Sequence, residues 1–303
     1  MALAILKSFY ELGSFEGAHI LEKFLEWLYT EPKDVGFTTH SSLTRNEEMV
    51  NESEDAEGTW HLGSYQFWTS SPQNAANGAL MRNGVIPLLT NDISQALDWT
   101  IQHSIITHYS IPAVLPCIVQ TILIHRALQG NTAIPTTETI REILLGSSGE
   151  WFNFKQLLFA KRDEISHDVV QWLERVGGKA CLATEEAILF DHLAQFETFD
   201  PYNHEFKGIA WSVISMKIAL WDLFHTTNEN KLVAPRHLPS WTFEEQPKGY
   251  ESVVFVCMIG ADADTYGAIA GPMLAAYYPV ISCEWVDGLL QKNTLDVYAN
   301  ALF

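Results

Sequence analysis

Apolar residues recur at helical spacing along most of this 303-residue chain, and this pattern constrains the fold more than any other feature. The segment Ala2–Leu12 is apolar almost all round, which predicts a helix surrounded by protein and ended by Gly13. Ile20, Phe24 and Leu28 then repeat on one helical face. Strands do not alternate with helices, so a doubly wound α/β fold is disfavoured.

Composition and charge exclude several classes of protein. A chain with 47% hydrophobic and 12% aromatic residues is globular and not disordered. The net charge of −19, from 37 acidic residues against 18 Lys and Arg, disfavours nucleic acid and anionic membranes as partners. The apolar stretch Ile111–Ile124 contains Pro116 and Gln120 and is too short to span a bilayer, so no membrane segment is predicted.

The cysteines argue against a zinc or redox site. Cys117, Cys181, Cys257 and Cys283 are widely spaced, and no Cys-x-x-Cys pair is present. We expect reduced thiols, mostly buried, in a cytoplasmic protein.

A short acidic motif near the C-terminus carries the strongest chemical signal. The run Gly260-Ala-Asp-Ala-Asp-Thr265 places Asp262, Asp264 and the Thr265 hydroxyl at a predicted helix start, ahead of a run of small residues. Such hard oxygen donors suit Mg²⁺ or Mn²⁺. The same residues are also good helix N-caps, so the motif alone leaves a purely structural role open.

Two further motifs precede it. An Asn-Gly pair opens the element Asn77-Gly78-Ala-Leu-Met-Arg82, and Thr107-His108 follows at the end of a predicted helix. An Asn-Gly pair is also a common turn, and a histidine at a helix end also stabilises the helix dipole. Arg82 either binds a phosphate or forms a buried structural salt bridge, and the sequence leaves both options open.

Together these elements resemble the ADP-ribosylglycohydrolase family. Its pattern runs as an Asn-Gly-x-x-Met-Arg element, a Thr-His element and a Gly-x-Asp-x-Asp-Thr element before a small-residue helix. The three elements here begin at Asn77, Thr107 and Gly260, in the same order and with similar spacing.

The resemblance implies an all-α fold, a compact single-domain helical bundle over residues 1–303. It implies two Mg²⁺ ions, with Mn²⁺ as an alternative, that bind ribose hydroxyls and a water. Carried over residue by residue, the metal ligands are Asp262, Asp264 and Thr265. The substrate-binding candidates are Asn77, Gly78, His108 and Tyr266. The resemblance also implies that the segment Ser252–Ile259 is helical, despite its local preference for strand.

The chain departs from the family pattern at its start. In the family a Thr-Asp-Asp-Thr element with further metal ligands comes just before a Met-Ala-Leu-Ala helix, and here Met1 begins that helix. We expect a missing N-terminal segment and an incomplete metal site, because Asp262 and Asp264 offset only two of the four charges on two Mg²⁺ ions. We assign no catalytic residue from the sequence.

The sequence therefore predicts a metal-dependent hydrolase. It would cleave the glycosidic bond of an ADP-ribosylated protein or of a small ADP-ribose derivative. The alternative is a catalytically inactive binding or structural protein that keeps the same helical scaffold. An exposed apolar first helix would favour a homo-oligomer.

Overall fold

The part of the protein that the structure describes consists of helices joined by loops. The computed structural model describes residues 1–53, 56–71, 74–145, 193, 195–201, 210–227, 253, 256–257, 259, 262–278 and 292–302. Within these ranges there is no strand, only an isolated antiparallel bridge between Ala76 and Trp211. The predicted all-α class is confirmed.

The described helices are numbered here in chain order. They are α1 Ala2–Leu12, α2 Gly17–Leu28, α3 Phe37–Glu52, α4 Ala56–Thr59, α5 Leu62–Ser70, α6 Leu80–Asn83, α7 Ile93–Ile105, α8 Ile111–Leu128, α9 Thr137–Leu145, α10 Ser212–Thr227, α11 Ala263–Tyr277 and α12 Lys292–Leu302. A short 3-10 helix, Ile86–Leu88, lies between α6 and α7. None of these helices combines the length and the apolar sequence that crossing a bilayer requires.

Local chemistry sets several helix ends. Gly13 ends α1 as predicted, with a left-handed φ of 67° and its N–H donating to the Phe9 carbonyl at 2.8 Å. Asp92 caps α7, because its carboxylate accepts a hydrogen bond from the Ser94 N–H at 2.8 Å. Val253, Val256 and Cys257 are helical, as the resemblance implies, although most of the surrounding segment lies outside the described residues.

A larger hydrophobic cluster forms around α8. Its side chains, such as Leu115, Ile118 and Ile122, are almost fully buried and pack between α7, α10 and α11. Because α8 is apolar on all sides, it is the central helix of this cluster. Cys117 in α8 is a buried free thiol and Cys257 a partly exposed one, as expected; Cys181 and Cys283 lie outside the described residues.

A smaller cluster joins α1 and α2 to α7. Phe15 stacks on Trp99 with ring centroids 5.1 Å apart, and Phe24 is fully buried. The prediction that α1 is surrounded by protein is wrong, since Tyr10 is 55% and Leu12 47% exposed. Helix α1 packs mainly against α2 and α12, and Phe9 also contacts Trp99 of α7, while the side chains of Tyr10 and Leu12 stay partly open.

The segment from Ala75 to Gly84 lies between the two clusters and positions the site. The Asn77 N–H donates to the Ala210 carbonyl at 3.0 Å, and the Ser212 N–H donates to the Ala75 carbonyl at 2.9 Å. A Cβ on Gly84 would lie 2.6 Å from the Pro272 ring, so glycine lets α11 approach this segment closely. These contacts bring the start of α10 next to Asn77 and the middle of α11 next to Gly84.

Candidate functional site

A hydrogen bond joins two of the predicted motifs. The Asn77 amide Nδ2 donates to Asp262 Oδ2 and to Ser215 Oγ, both at 2.9 Å. Asn77 is 5% exposed, so these bonds form away from bulk water and hold Asp262 in one orientation. The structure thus brings together two residues that stand 185 positions apart in the chain.

The acidic motif lies at the start of α11. Asp262 occupies the N-cap position, but its side chain makes no capping hydrogen bond, so the capping interpretation is wrong for its carboxylate. Asp262 is half-buried, Asp264 is exposed in the first turn, and Thr265 is 5% exposed. Asp262 and Asp264 both lie at the N-terminus of α11, where the helix dipole favours a negative charge. Gly260 lies outside the described residues.

The negative charges of Asp262 and Asp264 contribute to raised pKa values of two neighbouring side chains, Tyr266 and Cys257. Burial and then the Asp262 charge raise the pKa of Tyr266. Burial, then the charges of Asp222 and Asp264, raise the pKa of the Cys257 thiol. Tyr266 is 1% exposed and packs in the larger cluster, so its contact with a substrate stays a prediction.

The donor set fits a divalent cation in its chemistry. Asp262, Asp264 and Thr265 offer carboxylate and hydroxyl oxygens, the ligands that Mg²⁺ prefers. Among the residues that the structure describes, no group of three or more His, Cys, Asp or Glu side chains is placed to hold a metal. Since Mg²⁺ takes about six oxygens, these three side chains would have to share an ion with water or substrate oxygens.

Gly78 meets His108 and Thr39 at close range. A Cβ on Gly78 would lie 2.9 Å from His108 Cε1 and 3.0 Å from Thr39 Oγ1. The absence of a side chain at Gly78 is therefore what allows the imidazole and the α3 hydroxyl to approach the backbone next to Asn77.

His108 is buried and keeps one ring nitrogen without a partner. The side chain is 1% exposed, and its Nδ1 lies 2.7 Å from Thr107 Oγ1. Its Nε2 is buried and has no hydrogen-bond partner among the described residues. Burial, followed by the charge of Arg82, lowers the pKa of His108 to about 3, so the ring is uncharged at neutral pH. Burying a polar atom without a partner is unfavourable, and a ligand atom bound beside Nε2 would supply the missing partner.

Arg82 holds this region together and does not face solvent. It is 2% exposed and donates to the Gly78 carbonyl at 3.1 Å, the His103 carbonyl at 2.8 Å and Thr107 Oγ1 at 2.7 Å. Its guanidinium also lies 4.8 Å from the centre of the Phe24 ring. Within the described part of the chain no carboxylate pairs with it, so the buried salt bridge is not found there, and a phosphate contact stays a prediction.

Helix α3 supplies residues that the sequence analysis did not identify. Ser42 Oγ donates to the Thr107 carbonyl at 2.8 Å, and Asn46 Nδ2 donates to the Ile106 carbonyl at 2.6 Å. With Thr39 these side chains lie on one buried face at helical spacing. The signal was present as regularly spaced polar residues, but polar residues at that spacing more commonly face solvent. Ser215, which binds Asn77, left no such signal in the apolar α10.

Two buried histidines, His103 and His108, and the partly buried His61 make stability depend on pH. Burial lowers the pKa of His61 to about 4 and that of His108 to about 3, and it also lowers the pKa of His103 well below its usual value. Below about pH 6.5 the unfolded chain binds protons that the folded chain does not, so stability falls as pH falls. We expect the free energy of unfolding in urea to drop by on the order of a few kcal/mol between about pH 7.5 and 5. Equal values at the two pH values would contradict buried neutral rings, and His61→Gln should reduce the drop.

Comparisons with known proteins agree on one family. The family model for ADP-ribosylglycohydrolase matches residues 1–303. A protein of Acanthamoeba polyphaga mimivirus, named "Putative ADP-ribosyl glycohydrolase", is 30% identical over 142 residues, which are 44% of this chain and 39% of that protein. The match therefore spans about two fifths of the relative's length.

A solved structure shares the architecture. It is described as an "ADP-ribosylglycohydrolase-related protein complex" and matches with a TM-score of 0.58, covering 99% of this chain and 78% of that one. The sequence identity is 19%, so this likeness shows the fold alone.

Proposed function

Because this chain belongs to the ADP-ribosylglycohydrolase family, a family of hydrolases, we propose that it hydrolyses an ADP-ribosyl glycosidic bond with the help of divalent cations. The substrate would be an ADP-ribosylated protein or a small ADP-ribose derivative. The observation that carries the proposal is the hydrogen bond from Asn77 to Asp262, which joins the acidic motif to the Gly78 and His108 region.

Asp262, Asp264 and Thr265 would hold the cation, Mg²⁺ or Mn²⁺. When bound, a divalent cation supplies Lewis-acid polarisation of a water and of the ribose hydroxyls. Asn77 supports the site by donating to Asp262 Oδ2, which keeps that carboxylate oriented. Since both N–H groups of the Asn77 amide are used by Ser215 and Asp262, a contact between Asn77 and the substrate would use its amide oxygen.

The reaction replaces the bond between the ribose anomeric carbon and the leaving group by a bond to a water oxygen. Its transition state resembles an oxocarbenium ion. Gly78 gives the ribose or the phosphates close access to the backbone, next to the His108 imidazole. We assign no general base.

A second candidate is a non-catalytic member that binds ADP-ribose. It is favoured by the small number of acids at the site, because Asp262 and Asp264 would offset only half the charge of two Mg²⁺ ions. Among the described residues no third ligand of the His, Cys, Asp or Glu type completes a cluster.

One assay separates the two candidates. Purified protein is incubated with peptides that carry ADP-ribose on arginine or on serine, and released ADP-ribose is measured by chromatography. We expect release with Mg²⁺, loss of release after EDTA, and recovery when Mg²⁺ is added back. Release that is unaffected by EDTA would contradict the metal dependence. Binding of ADP-ribose without any release, with either metal, would identify the non-catalytic member.

A further inference from the structure

Three polar groups form a chain from Arg82 to His108. Arg82 Nη2 donates to Thr107 Oγ1 at 2.7 Å, and the same Oγ1 lies 2.7 Å from His108 Nδ1. Arg82, Thr107 and His108 are 2%, 1% and 1% exposed, so water does not compete for these bonds. The donors and acceptors in these two hydrogen bonds determine which ring nitrogen of His108 carries the proton.

The direction of the second bond follows from the donors and acceptors. A guanidinium only donates, so Thr107 Oγ1 accepts from Arg82. The Thr107 hydroxyl still has its own proton to donate, and the one acceptor for it among the described contacts of this hydroxyl is His108 Nδ1. If Nδ1 carried a proton instead, the hydroxyl would accept from both neighbours and its own proton would be left without a partner. Burying an unpaired donor is unfavourable, so Nδ1 is the acceptor.

An uncharged imidazole with an unprotonated Nδ1 carries its proton on Nε2. This nitrogen is the buried atom without a described partner, and a Cβ on Gly78 would lie 3.2 Å from it. It therefore points to the backbone beside Asn77, where the proposed function places the ribose and phosphates.

We propose that Arg82, acting through Thr107, is a positioning residue that holds His108 as the Nε2–H tautomer, and that this N–H donates to an oxygen of the bound ADP-ribosyl group. The ligand part of this inference rests on the proposed function, whereas the tautomer part does not. The low pKa of His108 supports it, because the ring then stays uncharged and keeps a single donor across the physiological pH range.

Nitrogen NMR of protein labelled with ¹⁵N-histidine tests the tautomer directly. The His108 signals are assigned by their loss in His108→Gln. We expect a proton on Nε2 and a hydrogen-bonded Nδ1 in the wild type. Thr107→Ser keeps the hydroxyl and should preserve this spectrum. Thr107→Val removes it and should give a mixture of both tautomers, as should Arg82→Met. A wild-type ring protonated on Nδ1, or a Thr107→Val spectrum identical to that of the wild type, would overturn the inference.

Addition of ADP-ribose tests the ligand part. The Nε2–H proton resonance of His108 should shift on binding, and Thr107→Val should bind ADP-ribose about tenfold more weakly, with Thr107→Ser within about twofold of the wild type. If ADP-ribose binds and this resonance does not move, the donor role is wrong. If ADP-ribose does not bind at all while the tautomer is as expected, the proposed function fails and the assignment of the tautomer stands.

Discussion

Replacing Asp264 by alanine is expected to reduce Mg²⁺-dependent release of ADP-ribose by about a hundredfold or more. The carboxylate is exposed in the first turn of α11, and no described residue hydrogen-bonds to it, so its removal costs the fold little. The loss would come from the removal of one of two negatively charged ligands, which lowers both cation affinity and transition-state stabilisation. Initial rates at saturating Mg²⁺ measure it.

A matched control separates this effect from a change in net charge. Asp296 is also exposed near the start of a helix, α12, which packs against α1 and away from the site. Asp296→Ala removes the same charge and should leave the rate within about twofold of the wild type. Equal rates for Asp264→Ala and the wild type would remove Asp264 from the proposed metal site.

Replacing Gly63 by alanine is expected to have the largest effect on stability. A Cβ at this position would lie 2.3 Å from the backbone C of Arg45 and from the backbone N of Asn46. Because these are main-chain atoms of α3, no side-chain rotation relieves the clash, and α5 has to move away from α3. We expect the free energy of unfolding in urea to fall by about 3 kcal/mol.

The Gly63→Ala substitution should also affect the candidate site around His108. Asn46 accepts a hydrogen bond from the Ser64 N–H at 2.9 Å and donates to the Ile106 carbonyl at 2.6 Å. A shift of α5 therefore disturbs the segment that ends in His108, and ADP-ribose binding should weaken together with stability.

Gly271 provides the control for Gly63. It lies inside α11, and a Cβ there would meet nothing within 4 Å. Gly271→Ala should be neutral or stabilising by up to about 1 kcal/mol, because alanine favours helix. A similar loss of stability in Gly63→Ala and Gly271→Ala would show that close helix contact is not the cause.

The sequence could predict the parts of the site that stand in local motifs. The helical class followed from apolar periodicity, and Asn77 and Asp262 followed from the resemblance of their motifs. Their hydrogen bond was not predictable, since it depends on how α10 and α11 pack around residue 77. Motif order alone gives no distance between elements.

The missed features depend on tertiary contacts. Arg82 was expected to bind a phosphate or a carboxylate, but among the described residues its Nη1 and Nη2 donate to the carbonyls of Gly78 and His103 and to the Thr107 hydroxyl. The exposure of Tyr10 and Leu12 depends on which helices cover α1, and its composition does not contain that information. Local pattern identifies an apolar surface but not what covers it.

A crystal structure of the protein grown with Mn²⁺, with data collected at the manganese edge, would show whether a cation binds at the start of α11. We expect an anomalous peak about 2.1 Å from carboxylate oxygens of Asp262 and Asp264, with Thr265 Oγ1 at a similar distance. Its intensity should be lost in Asp264→Ala crystals and retained in Asp296→Ala crystals. A map in which wild-type crystals bind manganese only elsewhere, or not at all, would contradict a cation site at the start of α11.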